Sequence, residues 1–112
     1  MVKYQETELS RTFSALMDPT RRAILARLAR EPGLSVSALA RPFPLKLPAI
    51  MKHLDVLSDA GLVSRSKEGR TVSVMLTPEP MREAMVWLKR YERFWSESLD
   101  RLAAYVEEES EE

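Results

Sequence analysis

The chain has 112 residues, 17 basic and 17 acidic side chains, one histidine and no cysteine. This length predicts a single domain, and the lack of cysteine excludes disulfides and thiolate metal sites. One histidine cannot build a histidine-rich metal site, and no run of about eighteen apolar residues is present. We therefore expect a cytoplasmic protein with no cofactor, no bound metal and no membrane segment.

The net charge of zero conceals an uneven distribution along the chain. Residues 1–76 carry 12 basic and 7 acidic side chains, whereas residues 77–112 carry 5 basic and 10 acidic side chains. A basic region favours an anionic polymer as ligand, because phosphate contacts and counterion release supply sequence-independent affinity. The alternative is that these are two ordinary solvated surfaces.

Two helices are predicted in the first thirty residues. Apolar residues at i, i+4 and i+7 indicate an amphipathic helix from about Glu6 to Met17. Asp18 can cap a second helix, from Pro19 to about Arg30. The apolar positions are Leu9, Phe13 and Leu16 in the first helix, and Ile24, Leu25 and Leu28 in the second.

Arg21 and Arg22 lie in the first turn of the second helix, where positive charge opposes the helix dipole. They need a negative partner, either a phosphate or a carboxylate. We expect a carboxylate of the same fold, with Arg22 a weaker candidate for phosphate contact than for an internal salt bridge.

The segment from about residue 36 to residue 58 has the pattern of a helix-turn-helix. Ser35 can cap a short helix from Val36 to Arg41, and two prolines follow it. A second helix is predicted from Pro48 to Ser58, with a proline at a first-turn position, and Gly61 ends it. Its inward positions are Ile50, Leu54 and Leu57.

A β-hairpin is predicted from about residue 62 to residue 76. Leu62 to Ser66 and Thr71 to Leu76 are typical of strands, and residues 67–70 connect them through a turn at Gly69. The hairpin carries three basic side chains, so it resembles the basic wing of a winged helix-turn-helix. These side chains are Arg65, Lys67 and Arg70.

One long amphipathic helix is predicted from about residue 80 to residue 106. Its apolar residues recur every three or four positions, and Trp87 and Phe94 widen the stripe beyond what one small core can cover. We expect one face to pack on its own domain and the other to meet a second copy of the chain. The predicted dimer interface consists of Leu9, Phe13, Leu88, Tyr91, Trp95, Leu99 and Leu102. The domain is then residues 1–106, and the acidic tail, residues 107–112, is expected to fray.

Three segments resemble the arsenic-repressor (ArsR/SmtB) family of small winged-helix regulators. They are LMDPTRRAILARLA at residues 16–29, LPAIMKHLDVLSDAGLVSRSKEGRTVSVMLT at residues 47–77, and YERFWSESLDRLAAYVEE at residues 91–108. The resemblance implies a mostly α fold with a small β-hairpin, and a homodimer whose first and last helices form the interface. It also implies a repressor that occupies an operator until a signal releases it.

The chain departs from this family at the positions of its metal ligands. Ser35 and Ser37 stand where members often carry a Cys-x-Cys pair, and no histidine follows His53. The chain therefore resembles a subgroup without metal ligands. The start of the second helix also lacks the usual serine cap, and Pro44 stands where a turn glycine is common.

The outer face near the start of the second helix is the predicted base-reading surface. In a winged helix-turn-helix this end lies in the major groove, and the wing reaches the backbone or an adjacent minor groove. Lys52 can donate to phosphate or guanine, and Ala49 or Met51 can touch thymine methyl groups. His53 is either a groove contact or a half-buried residue of the fold. The full predicted DNA-binding set is Lys46, Leu47, Ala49, Met51, Lys52, His53, Arg65, Lys67 and Arg70.

The helix face, the wing and the aromatic residues of the last helix each have a structural interpretation as well as a functional one. The helix face can be ordinary solvated surface, and Glu68 with solvent can neutralise the wing. Aromatic residues of the last helix can line a ligand pocket, but core or interface positions are more common for such a stripe, so no effector is predicted. These aromatic residues are Trp87, Tyr91, Phe94 and Trp95.

The leading hypothesis is a homodimeric, sequence-specific regulator of transcription, a repressor that binds a palindromic operator in double-stranded DNA without a metal or thiol sensor. The alternative is a winged-helix protein-interaction module, supported by apolar Leu47 and Met51 where polar residues are common. An enzyme is not expected, because the chain has no cysteine nucleophile, no glycine-rich phosphate loop and no nucleophile evident beside its histidine.

Overall fold

Two helices open the fold and form one side of the core. The computed structural model describes the backbone of residues 2–111 and the side chains of residues 7–109. α1 spans Val2–Leu16 and α2 spans Pro19–Arg30. The predicted bounds of α2 are confirmed, whereas α1 begins before Glu6 because neither glycine nor proline interrupts the first turns. The Asp18 side chain caps α2 by accepting the backbone N–H of Arg21 at 3.0 Å.

The two arginines in the first turn of α2 cap the end of α1. Arg21 donates to the carbonyl oxygens of Ala15 at 2.7 Å and of Ser14 at 3.0 Å. Arg22 donates to those of Leu16 at 2.6 Å and of Met17 at 2.9 Å. The Asp18 carboxylate is close enough to attract the charge of Arg21, as expected, but among the described residues neither guanidinium group forms an ion pair with a carboxylate. The negative end of the neighbouring helix dipole, with its carbonyls that have no partner inside the helix, takes that role.

The helix-turn-helix consists of α3, Val36–Ala40, and α4, Leu47–Asp59. The Ser35 hydroxyl caps α3 by accepting the Ala38 N–H at 3.2 Å, and α3 ends one residue earlier than predicted. α4 extends one residue beyond the prediction at each end. It finishes in a Schellman motif, in which Gly61, with φ of 73°, donates to Ser58 and Leu62 donates to Leu57.

A three-stranded antiparallel sheet forms the wing, in the order β1-β3-β2. β1 is Leu34–Ser35, β2 is Val63–Glu68 and β3 is Thr71–Leu76. β1 was not predicted, because two residues show no alternation and the strand forms only by pairing with β3. β2 runs two residues further than predicted, since Lys67 and Glu68 pair with β3 instead of lying in the turn.

The core lies where α1 to α4 meet the sheet. The predicted inward residues of α2 and α4 are buried, and Leu39, Leu62 and Val74 complete the same cluster. Burying a side chain of this size contributes about 1.5–3 kcal/mol, so this cluster fixes α4 against α2 and the wing. The inward residues are Ile24, Leu25 and Leu28 of α2, and Ile50, Leu54 and Leu57 of α4.

The C-terminal region contains two helices where the sequence predicted one. α5 spans Glu79–Lys89 and α6 spans Glu92–Glu111. Between them, Arg90 and Tyr91 donate to carbonyls three residues back, which tightens the helix into a 3₁₀-like turn. The prediction of one continuous helix is therefore wrong, and neither glycine nor proline marks the break. Among the described residues, no helix has the length and apolar character needed to cross a membrane.

The fraying of the acidic tail stays a prediction, although the backbone of the tail is helical. α6 remains helical through Glu111, because glutamate is a good helix former even where its charge opposes the dipole. Glu112 lies outside the described residues.

Candidate nucleic-acid interface

The first turns of α4 project a short surface of lysine and apolar side chains. Lys46 and Lys52 are exposed, and Leu47 retains 50% of its accessible surface. Ala49 is half-buried. Met51 also is half-buried and packs against the core, so its predicted place on the outer face is only partly correct. No side chain caps α4, because Lys46 occupies the cap position and has no acceptor oxygen.

His53 lies beside the cap of α2. Its side chain keeps 22% of its exposure, and Nδ1 lies 3.8 Å from Asp18 Oδ2. The Asp18 carboxyl has a pKa below its usual value, chiefly because it accepts the Arg21 N–H, and the nearby His53 lowers it further. Of the two alternatives for His53, this environment corresponds to the half-buried residue of the fold.

An ion pair joins the wing to α4. Arg65 of β2 donates to Asp55 of α4, with 2.8 Å between Nη1 and Oδ1. Arg65 shares one face of β2 with the buried Val63, because residues two apart point to the same side of a strand. This face packs towards α4, which explains why Arg65 reaches Asp55.

The tip of the wing carries the remaining basic residues. Gly69 and Arg70 form a two-residue turn, closed by the pairing of Glu68 with Thr71. Gly69 has φ of 60° while Arg70 stays at negative φ, the signs that a type II′ turn requires. Lys67 and Arg70 are exposed, and Glu68 lies on the opposite face of β2 from Lys67.

Four basic residues of this surface form no ion pair with the described part of the chain. They are Lys46, Lys52, Lys67 and Arg70. Their charges come from the helix start and the wing tip, the two parts that a winged helix presents to a duplex. Chemically, this surface can neutralise phosphates, and between the charges it offers an apolar contact from Leu47 and Ala49.

The predicted dimer residues lie on α1, α5 and α6, except Tyr91, which lies in the turn between α5 and α6. On the domain side, the ring of Trp87 contacts those of Phe13 and Tyr91, with centroids 5.6 Å and 5.2 Å apart. Along α6 the apolar stripe is open, with Leu99 and Leu102 each more than half exposed. The stripe begins at the end of α5 and in the following turn. Its exposed residues are Leu88 and Tyr91 there, and Phe94, Trp95, Leu99, Leu102, Tyr105 and Val106 on α6.

Sequence reasoning missed Asp55 and Asp18 as parts of this surface. Asp55 faces Arg65 across ten positions of sequence, and Asp18 meets His53 from another helix. Local periodicity does not reveal such pairs. The sequence did offer one indication for Asp55. An acidic residue close to Lys52 on α4 would repel phosphate, so a nearby cation such as Arg65 could have been expected to neutralise it.

Comparison with known proteins places the chain among transcriptional regulators. A helix-turn-helix domain model matches residues 16–66. The HTH-type transcriptional regulator Rv2034 of Mycobacterium tuberculosis is 38% identical over 101 residues, which are 90% of this chain and 91% of the relative. The transcriptional repressor SdpR of Bacillus subtilis is 26% identical over 83 residues, or 74% of this chain and 91% of that protein.

Solved structures share the fold. An ArsR family transcriptional regulator, RHA00566, is 40% identical with a TM-score of 0.74, over 81% of this chain and 93% of that one. The homodimeric winged helix-turn-helix DNA-binding domain Mb0332 from Mycobacterium bovis is 26% identical with a TM-score of 0.62, over 79% and 82% of the two chains. The chain therefore belongs to the ArsR family of winged helix-turn-helix transcriptional regulators.

Proposed function

We propose that this protein is a homodimeric repressor that binds a palindromic operator through α4 and the wing, without a metal or thiol sensor. The observation that carries the proposal is the set of basic residues at the start of α4 and at the wing tip that form no ion pair with residues 7–109. The name of the relative SdpR supports repression, and the absence of cysteine from the sequence excludes a thiol sensor. Its place of action would be the cytoplasm, and its releasing signal is left unassigned.

The homodimer is supported by the exposed apolar stripe on α6. An exposed apolar surface of this extent is unusual for a monomer, and a second copy would cover it by an isologous contact. The neighbour Mb0332 is described as homodimeric. In such a dimer the two copies of α4 would face half-sites about one helical turn apart. Because the dimer would have two-fold symmetry, its operator would be two-fold symmetric as well.

The dimer is tested by placing charge on the stripe. Leu99→Glu together with Leu102→Glu should yield a monomer in sedimentation velocity, because four carboxylates would meet at the interface. Ala104→Glu on the opposite face of α6 is the matched control, which introduces the same group and should remain dimeric. A dimeric double variant would exclude this stripe as the interface.

DNA binding is tested by selecting bound fragments from a random duplex library at two salt concentrations in metal-free buffer. Recovery of a two-fold symmetric sequence at the higher salt would support the proposal. Uniform loss of binding with salt, and no enriched sequence, would instead favour the protein-interaction module. Lys52→Ala should weaken binding to the recovered sequence, and an unchanged affinity would exclude this placement of α4 in the groove.

A further inference from the structure

The exposed start of α4 has no arginine, asparagine or glutamine, and its two lysines are the side chains there that can donate to a base edge. Residues 46–52 are Lys, Leu, Pro, Ala, Ile, Met and Lys. The paired contacts that distinguish bases in the major groove are those of arginine or lysine with guanine and of asparagine or glutamine with adenine. Lysine can donate to guanine, but its single flexible ammonium binds phosphate equally well.

The next polar side chains of α4, those of His53 and Asp55, lie beside charged groups of the protein. The His53 ring lies beside Asp18, with Nδ1 3.8 Å from the carboxylate. The Asp55 carboxylate, which could accept a hydrogen bond from cytosine, accepts one from Arg65 at 2.8 Å. His53 and Asp55, the two residues that follow Lys52 with groups able to read a base, are thus each placed beside a charged group of the protein itself.

What α4 does offer to the groove is apolar surface. Leu47 lies in the first turn with half of its surface exposed, and Ala49 follows, partly exposed. The only apolar group on the major-groove edges of the four base pairs is the C5-methyl group of thymine. An exposed leucine that bound opposite a polar base edge would desolvate that edge without replacing its hydrogen bonds.

We propose that α4 selects its operator by burying thymine methyl groups against Leu47 and Ala49, so that each half-site carries thymine where the first turn of α4 enters the groove. This inference rests on the proposed DNA-binding function and adds the chemistry of base selection to it. The lysines at both ends of this turn position the helix by phosphate contacts, and the methyl contact distinguishes T·A from the other pairs.

The test removes only the methyl group. The duplex most enriched in the random-library selection is resynthesised with deoxyuridine in place of thymine, one symmetric pair of positions at a time. Replacement at the contacted position should weaken binding about four-fold for each methyl group, and about fifteen-fold when both half-sites are changed. Fluorescence anisotropy at fixed salt measures this loss.

Variants of the full-length protein assign the contact. Leu47→Ala should bind the thymine duplex more weakly and lose most of its sensitivity to deoxyuridine, because the partner of the methyl group is gone. Val56→Ala is the matched control. Val56 is also an exposed apolar residue of α4, but it lines a groove with Ser10 and Arg11 of α1, so its replacement should leave the deoxyuridine effect unchanged.

The other outcomes separate this inference from the proposed function. Specific binding that is insensitive to deoxyuridine at every position would overturn the methyl contact and leave DNA binding intact. An equal loss for wild type and Leu47→Ala would show that the methyl group acts through the shape of the duplex, which also overturns the assignment. Failure to enrich any sequence would refute the proposed function itself.

Discussion

The Arg65–Asp55 ion pair neutralises one positive charge of the proposed DNA-binding surface, and a single substitution can release that charge. Arg65 lies on the wing, but its guanidinium is held by Asp55 of α4 at 2.8 Å. In the free protein the carboxylate of Asp55 thus neutralises the positive charge of Arg65, next to the surface proposed to contact phosphates. Asp55→Asn removes the carboxylate with almost no change of shape, and it should leave Arg65 free to bind a phosphate.

The exposure of the Arg65 and Asp55 side chains sets the expected change in stability, and one released charge sets the expected change in the salt dependence of binding. The side chains of Arg65 and Asp55 retain 27% and 59% of their exposure, so solvent screens them and the variant should lose at most about 0.5 kcal/mol of unfolding free energy. Duplex binding should strengthen at low salt, and the slope of log affinity against log salt should steepen by about 0.9. The advantage of the variant over wild type should then shrink about 3.5-fold between 50 and 200 mM salt.

The assay is a salt titration of affinity for one mixed-sequence duplex, measured by fluorescence anisotropy. Asp59→Asn is the matched control, because it removes the same charge one turn further along α4 and, among the described residues, Asp59 forms no ion pair. The control should change the slope less. Equal slopes for wild type and Asp55→Asn would mean that Arg65 does not face the duplex, and the assigned orientation of the wing would be refuted.

Three further predictions concern the wing tip, the helix caps and the response to acid. Lys67→Ala with Arg70→Ala should weaken binding to all duplexes and flatten the salt slope by about 1.8, and an unchanged slope would place the wing tip away from DNA. Arg21→Ala should cost about 1–2 kcal/mol in urea unfolding, because the Ala15 carbonyl at the end of α1 loses its side-chain donor and the Ser14 carbonyl keeps only the Met17 N–H, whereas a cost near zero would show that water replaces the guanidinium. Because the pKa of Asp18 is lowered in the fold, its stabilisation is present above its unfolded value and is lost as pH falls through the lower folded value. Asp18→Asn keeps a capping oxygen but cannot titrate, so below about pH 4 its unfolding free energy should fall less steeply than that of wild type, and parallel curves would contradict the linkage.

Periodicity and helix caps predicted most of the framework. Asp18 and Pro19 fixed the start of α2, and the inward spacing of Ile50, Leu54 and Leu57 located α4 within one residue at each end. Gly61 ended α4 as expected. These features are local in sequence, so the residues that determine them lie within one or two turns.

The features that the sequence did not predict depend on contacts between distant residues. β1 exists only because β3 pairs with it, and the break at Arg90 contains no helix-breaking residue. The hydrogen bonds of Arg21 and Arg22 to the carbonyls at the end of α1 were not predicted, because the negative end of a helix dipole is not visible as a charged residue in the sequence. The predicted DNA-binding residues stay predictions, although the structure brings several of them to the start of α4 and the wing.

The most direct test of the central claim compares two duplexes. One is the duplex recovered by selection, and the other is the same duplex with both half-sites scrambled. A sequence-specific dimer should bind the first at least about a thousand-fold more tightly at 200 mM salt, with two chains on each duplex. Equal affinity for the two duplexes, falling together as salt rises, would reduce the interaction to charge attraction and contradict the assignment of α4 as a reader of sequence.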